Sequence, residues 1–259
     1  MPHIAKKSLG QHFLRCAWVG HTLINAADVS LNDTILEVGP GTGALTRLLA
    51  ARAGRVIAIE KDERLARALT KDLQSRDIKN VEIIPGDVLK LCSGLSPEHE
   101  YKIVANIPYY LTSRLIRVLL EQKNKPVAMA LTIQKEVAER MCEKPPRMNM
   151  LAIAVQAYGK PEIIKTVPAD CFSPKPKVES AIITLSDISD RYFKTYGISE
   201  DNFFTLLKSA FSQKRKILLN TLPLPKSKSA ELLRRLGFSP NARAEELSLA
   251  QWAEIMRLF

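Results

Sequence analysis

The sequence predicts an α/β fold: a doubly wound, mainly parallel sheet followed by a small C-terminal α-helical domain. Three observations predict it. Short apolar runs alternate with helical stretches from Thr34 onward. Four successive runs end in Gly39, Glu60, Asp87 and Asn106, and open α/β sheets place ligands at the carboxyl ends of their strands. After Ser186 the strand signals stop, and from 200 the pattern is helical, broken at Pro223, Pro225, Gly237 and Pro240. The expected organisation is a ligand-binding domain over 1–186, a linker over 187–199 and a helical domain over 200–259.

Taken in order, residues 1–15 contain no acid, and Lys6, Lys7 and Arg15 surround Ser8-Leu9-Gly10-Gln11-His12-Phe13-Leu14. Gln11, Phe13 and Leu14 are odd choices for a solvated arm, so this segment is expected to dock. Val19, Leu23, Ile24 and Ala27 have helical spacing within 17–28. An apolar strand from Thr34 then enters Gly39-Pro40-Gly41-Thr42-Gly43, with a helix from Ala44 to Ala53 behind it. Val56 to Glu60 and Val81 to Ile84 are strands around a helix from Asp62 to about Arg76, and Pro85-Gly86-Asp87 closes the second of them. Glu60 is also a fair N-cap for that helix. Ile103-Val104-Ala105 ends a fourth strand at Asn106. A helix over 111–121 buries Leu115, Val118 and Leu119. Val127 to Ile133 is a fifth strand, and Gln134 to Met141 a short charged helix. Lys144 to Arg147 is a loop and Leu151 to Tyr158 a buried apolar run. Ile163 to Val167 and Val178 to Leu185 are two further strands.

The glycine loop lets the backbone pass close to a ligand. Its spacing is G-x-G-x-G, neither the dinucleotide fingerprint nor a P-loop. The acid before it, Glu37, disfavours a pyrophosphate and suits a cationic or zwitterionic ligand such as S-adenosylmethionine. Glu60 sits one β-α-β unit further on, where a carboxylate accepts ribose hydroxyls. Asp87 is placed to accept from an adenine amine. At Asn106-Ile107-Pro108-Tyr109 the amide oxygen of Asn106 accepts from an amine. Pro108 fixes its own φ and biases Ile107 toward an extended shape. Tyr109 offers a flat face for a base. In Phe172-Ser173-Pro174-Lys175-Pro176-Lys177, an aromatic and two lysines ride on a stiffened loop, which reads as a second stacking face with phosphate contacts.

The totals bound the rest. There are 259 residues, 46% of them hydrophobic, and 38 Lys+Arg against 27 Asp+Glu give a net charge of +11. That balance points to a polyanionic partner, nucleic acid first and an anionic membrane surface second. The basic focus of the helical region is Lys214-Arg215-Lys216. The four cysteines, Cys16, Cys92, Cys142 and Cys171, form neither a zinc pattern nor a disulfide framework, so a reducing compartment is expected. There is no metal motif, no membrane-spanning run and no secretory signal.

Together these residues resemble the bacterial small-subunit (16S) rRNA adenine dimethyltransferases. The resemblance covers nearly the whole chain: Lys-Lys-Ser-Leu-Gly-Gln-His-Phe-Leu, Leu-Glu-Val-Gly-Pro-Gly-Thr-Gly-Ala-Leu-Thr, Ile-Glu60, Gly-Asp87, Asn-Ile-Pro-Tyr, Gln-Lys-Glu-Val-Ala-Glu-Arg, Phe172-Ser-Pro-Lys-Pro-Lys-Val-Glu-Ser and Phe-Ser-Gln-Lys-Arg-Lys. It implies a Rossmann-like S-adenosylmethionine-dependent methyltransferase that dimethylates N6 of two adjacent adenosines. Those lie in the 3′-terminal hairpin loop of 16S rRNA in the small ribosomal subunit, with a role in subunit maturation. It further implies that Gln11, His12 and Leu14 reach the cofactor from the arm, and that Gly39 and Gly41 line its methionine part. Glu60 would hold its ribose, Asp87 its adenine, and Asn106 the reaction centre. Asn106 and the Ile107 carbonyl would accept the two amine N–H bonds, while Tyr109 and Phe172 sandwich the target base. Lys175, Lys177, Lys214, Arg215 and Lys216 would contact RNA. A cytoplasmic monomer without metal is expected.

The sequence departs from that family at Tyr110, where the family usually has Asn, and at Arg147-Met148-Asn149-Met150-Leu151, where it usually has Gly-x-Leu-Ser. Two alternatives remain at this level. One is an adenine methyltransferase of large-subunit rRNA, of the macrolide-resistance type. The other is a mainly non-catalytic RNA-binding ribosome assembly factor.

Overall fold

The computed structural model describes residues 10–91, 100–213 and 216–258. They divide into two compact units. One comprises the residues up to Ala138 together with Lys160–Ile188, and the other comprises Glu139–Gly159 with the residues from Ser189 onward.

In the first unit the elements follow in the order β1 (Phe13–Leu14), α1 (Ala17–Ala26), β2 (Thr34–Val38), α2 (Ala44–Ala50), β3 (Arg55–Glu60), α3 (Glu63–Ser75), β4 (Val81–Pro85), α4 (Val88–Leu91), β5 (Tyr101–Asn106), α5 (Thr112–Leu120) and β6 (Ala128–Gln134). After α6 (Lys135–Met141) and α7 (Met150–Gln156) come β7 (Lys160–Val167), β8 (Phe172–Ser173) and β9 (Ser180–Ser186). A seven-stranded sheet has the order β4-β3-β2-β5-β6-β9-β7. Its members from β4 to β6 run parallel, and β9 is antiparallel to both of its neighbours. The doubly wound, mainly parallel expectation is met.

The chain moves from β2 outward through β3 to β4, then returns to β5 on the other side of β2. Parallel crossovers are right-handed, so α2 and α3 lie on one face and α5 on the other. The switch point between β2 and β5 opens a crevice at the carboxyl ends of the strands. Gly39 follows one of those ends and Asn106 closes the other.

The strands form because their apolar runs are buried on both faces, as parallel strands require. Ile35, Val56, Ile103, Val104 and Ala105 are fully buried. A core cluster joins Val19, Leu23 and Ile24 of α1, Leu45 and Leu49 of α2, Val104, Ala130 and Phe172. Burying a leucine such as Leu23 contributes about 2 kcal/mol. Three details differ from expectation. Gln134 ends β6 instead of opening a helix. The N-cap of α3 is Asp62, whose side chain accepts from the Arg64 N–H, not Glu60. The third concerns the cysteines: Cys16 and Cys171 are disulfide-bonded, with Cα atoms 5.0 Å apart across 155 residues of sequence. Spacing rules search for short-range patterns, whereas this pair meets because β1 pairs antiparallel with β8. The expectation of a reducing compartment rested on unpaired cysteines and loses that support.

The second unit is helical and holds α7, α8 (Arg191–Tyr196), α9 (Glu200–Ala210), α10 (Lys226–Arg235) and α11 (Leu249–Arg257). The stretch expected to be a linker over 187–199 therefore contains a helix. Phe193 of α8 lies against Tyr158, Phe203 and Phe204, at ring-centroid distances of 5.2, 5.6 and 6.2 Å. These contacts are why the residues around Tyr158 group with this unit and why the expected boundary at 186 does not separate the two. Asn149 caps α7 by accepting from the N–H groups of Leu151 and Ala152. Among the described residues no helix is long and apolar enough to cross a membrane.

Candidate active site

At the switch point the first unit encloses a cavity of about 230 Å³. Its wall is built from four strand ends and the N-terminal arm. Every residue expected to bind the cofactor or act on the base lines it: Gln11, His12, Leu14, Gly39, Gly41, Glu60, Asp87, Asn106, Ile107, Pro108, Tyr109 and Phe172.

The glycine loop supplies one wall. Gly41 has φ +59°, and a side chain there would meet the Phe13 ring at 3.1 Å. Gly43 has φ +78°, and a side chain there would strike Leu69 at 2.3 Å. Both need glycine for backbone shape and for space. The Gly41 N–H donates to Glu60 Oε2 at 2.9 Å, and the Asp62 N–H donates to Glu60 Oε1 at 2.8 Å. Glu60 is thus pinned at the end of β3, with lone pairs left for hydroxyl donors. Its burial raises its pKa, and the backbone N–H groups oppose that rise.

Glu37 is 1% exposed, and its Oε2 has no hydrogen-bond partner. Burial pushes its pKa up to about 8, the nearby Thr46 hydroxyl opposes the rise, and the neighbouring charge of Glu60 adds to it. A buried carboxyl with an unpaired oxygen in a cavity wall is costly unless a donor or a cation joins it. Asp87 behaves differently. It accepts from Lys61 Nζ at 2.8 Å and from the Leu89 N–H at 3.1 Å. The Lys61 ammonium holds its pKa below the ordinary value. Lys61 lines the same cavity and was not singled out in the sequence; the acid before it was the stronger signal.

The opposite wall belongs to β5 and the turn after it. Asn106 Nδ2 donates to the His12 carbonyl oxygen at 3.1 Å. The Ile107 N–H donates to the Thr132 carbonyl at 3.1 Å. Tyr109 opens a 3₁₀ turn over Tyr109–Leu111, and its ring stacks on His12 with centroids 5.5 Å apart. The arm that carries His12 is sewn to the 172–174 loop. Phe13 pairs with Ser173 and Leu14 with Phe172. The Arg15 N–H donates to the Cys171 carbonyl at 2.8 Å, and His12 Nδ1 donates to the Pro174 carbonyl at 2.7 Å. The expected docking of this arm is what residues 10–15 show. Phe172 is buried in the core cluster, so only part of its ring can face the cavity.

Of the basic residues expected at RNA, Lys175 and Lys177 do not line the cavity. Lys175 is paired with Asp170 at 2.6 Å. Lys177 is exposed in the first unit, and Lys216 is exposed in the second. Lys214 and Arg215 lie outside the described residues. No group of three or more metal-ligating side chains occurs among the described residues.

Comparison with known proteins decides the family. The model of a family described as ribosomal RNA adenine dimethylase matches residues 3–259. The chain belongs to the ribosomal RNA adenine dimethylase family. A ribosomal RNA small subunit methyltransferase A from Dehalococcoides mccartyi is 41% identical over 254 residues, covering 96% of this chain and 86% of that protein. The crystal structure of a dimethyladenosine transferase from Plasmodium falciparum matches with a TM-score of 0.82 at 28% identity, covering 96% of this chain and 97% of that one. The structure of the 23S rRNA methyltransferase ErmE matches with a TM-score of 0.75 at 25% identity, covering 95% of this chain and 98% of that one.

The cofactor of this dimethylase fold is S-adenosylmethionine, and the residues present fit it. Its ammonium and sulfonium are cationic, and the unpaired Glu37 oxygen is an anion-forming group in the cavity wall. The carboxylate oxygens of Glu60 and Asp87 add acceptors of the kind that ribose hydroxyls and an adenine amine need.

Proposed function

We propose that this dimethylase transfers methyl groups to N6 of two adjacent adenosines in the 3′-terminal hairpin loop of 16S rRNA, in the small ribosomal subunit, and so takes part in subunit maturation. One observation carries the reading: the amide of Asn106 shares a single cavity with the buried acids Glu37 and Glu60, across the switch point from them. The cytoplasm is where it would act, as a monomer, with Lys175, Lys177, Lys214, Arg215 and Lys216 meeting phosphates.

S-adenosylmethionine, when bound, supplies an electrophilic methyl on a sulfonium. The protein's residues do the rest. Glu37 faces the cationic end of the cofactor, Gly39 and Gly41 let the backbone approach it, Glu60 takes the ribose and Asp87 the adenine amine. Gln11, His12 and Leu14 close the site from the arm. An adenine amine is a poor nucleophile because its lone pair is delocalised into the ring. The Asn106 Oδ1 and the Ile107 carbonyl accept its two N–H bonds and turn the lone pair out of the ring plane. Pro108 donates nothing and keeps that edge an acceptor edge. Tyr109 stacks on the base, with Phe172 behind the cavity wall. No strong base is needed, since the proton leaves after transfer, to water. Positioning and electrostatics supply the rate. The target base must be unstacked for its amine to reach the site.

The test is transfer of labelled methyl to undermethylated small subunits, large-subunit rRNA and duplex DNA, followed by nucleoside analysis. The expected product is dimethyladenosine confined to the small subunit. Label in large-subunit rRNA instead would move the assignment to the macrolide-resistance type. Cofactor binding without any transfer would favour an assembly factor.

A further inference from the structure

We propose that Ser180 is a positioning residue: it fixes the direction of the Tyr109 ring and thereby the seat of the target adenine. This rests on the adenine-methylating function proposed for the site and gives a role to Ser180, the last residue of the Phe172-to-Ser180 motif, to which the sequence assigned none.

Ser180 opens β9, an interior strand of the sheet. It lies opposite Gln134 of β6 on one side and Val167 of β7 on the other. Its side chain is completely buried. A buried hydroxyl costs stability unless it is paired. The pairing here is with the Tyr109 hydroxyl, 2.6 Å away and 71 residues earlier in the chain.

A tyrosine at the rim of a cavity has two side-chain torsions with which to swing. Tyr109 is held at both ends. Its backbone sits in a 3₁₀ turn closed by the Leu111 N–H donating to the Pro108 carbonyl at 2.9 Å. Its hydroxyl is tied to the rigid sheet through Ser180. Two fixed ends define the long axis of the ring, and His12, stacked on one face at an interplanar angle of 26°, limits its rotation about that axis. A stacking platform fixed in advance orders less on binding the base, which is how preorganisation raises affinity and rate. An alanine at 180 would fill the strand equally well, so the hydroxyl serves the tyrosine and not the sheet.

A double-mutant cycle tests this, using the full chain with undermethylated small subunits. Ser180→Ala and Tyr109→Phe each remove one end of the same hydrogen bond. Each is expected to lower kcat/KM for the RNA by roughly threefold to tenfold, and the double variant no further than the worse single one. The dissociation constant for S-adenosylmethionine should stay within about twofold of wild type, since the bond does not touch the cofactor. Losses that multiply in the double variant, or a Ser180→Ala enzyme with wild-type kcat/KM, would overturn the inference. Should Ser180→Ala fail to fold, Tyr109→Phe decides alone, because it deletes the bond from the half-exposed side: a loss supports the inference and wild-type kcat/KM refutes it. Wild-type protein that transfers no methyl to any adenosine removes the underlying reading and this inference together, whereas an active wild type with multiplying losses removes this inference only.

Discussion

Asn106 donates its side-chain amide N–H to the backbone carbonyl of His12, at 3.1 Å and across 94 residues of sequence. This bond sets which way the amide faces. With Nδ2 turned to the arm, Oδ1 is the atom left to accept from an incoming amine. In the proposed function the arm would therefore orient the acceptor of the target amine as well as lining the cavity.

Under the proposed function, replacing Asn106 with Ala removes an acceptor used only when an amine is in place. The expected result is a fall in kcat of about a hundredfold, with S-adenosylmethionine affinity changed by less than about threefold. Calorimetric binding beside single-turnover transfer separates the two. Equal losses in both would show that Asn106 holds cofactor and does not orient the base.

Glu37 predicts a pH dependence. Its folded pKa of about 8 lies above its ordinary value of 4.5. The unfolded chain therefore loses this proton first, and stability falls as pH rises from 4.5 to about 8, then levels. Glu37→Gln should abolish that slope, so its melting temperature relative to wild type rises across the same window. A cationic ligand beside the carboxyl favours the ionised form, so cofactor affinity should grow with pH in wild type more than in Glu37→Gln. Parallel pH profiles of the two proteins would sink the assignment.

Phe172 and Tyr109 should respond differently to truncation, although both line the cavity. Tyr109 is half-buried, and Tyr109→Ala should cost roughly 1–3 kcal/mol of base capture with little change in stability. Phe172 is 3% exposed within the core cluster, so Phe172→Ala should cost about 3–5 kcal/mol of stability besides any stacking. Phe172→Leu keeps most of the volume and isolates the stacking part. Thermal melts combined with capture of a fluorescent adenine analogue check both. A Phe172→Leu variant that captures as wild type does would leave Tyr109 as the stacking face.

Much of the fold was legible in the sequence because a parallel sheet buries its strands on both faces. Val56 to Ile59 and Ile103 to Ala105 are unbroken apolar runs, and their ends could be read as ligand positions before any fold was known. Glycines at 39, 41 and 43 are equally plain. What was missed depends on tertiary proximity or on short elements. β1 and β8 have two residues each, too few for any periodicity. Ser180 closes the motif that begins at Phe172, but its partner stays hidden until β9 is set against the Tyr109 turn. The helix Arg191–Tyr196 does leave a signal: Tyr192, Phe193 and Tyr196 have the spacing of one helical face, which a solvated linker would not need.

The Cys16–Cys171 bond ties the end of the arm to the residue before Phe172. A cross-link over 155 residues restricts the unfolded chain strongly, and its removal is expected to cost roughly 2–5 kcal/mol. The arm keeps its register without it, because the Arg15–Cys171 backbone bond and the pairing of Phe13 and Leu14 do not involve sulfur. Cys16→Ser, or a reducing agent, should therefore lower the melting temperature while leaving cofactor affinity within about threefold of wild type. Alkylation of the denatured protein counts the thiols: reduction should add two, those of Cys16 and Cys171. No gain of thiols on reduction, or a melting temperature indifferent to reductant, would show that the pair exists as two neighbouring thiols and that the arm is held by β1 and β8 alone.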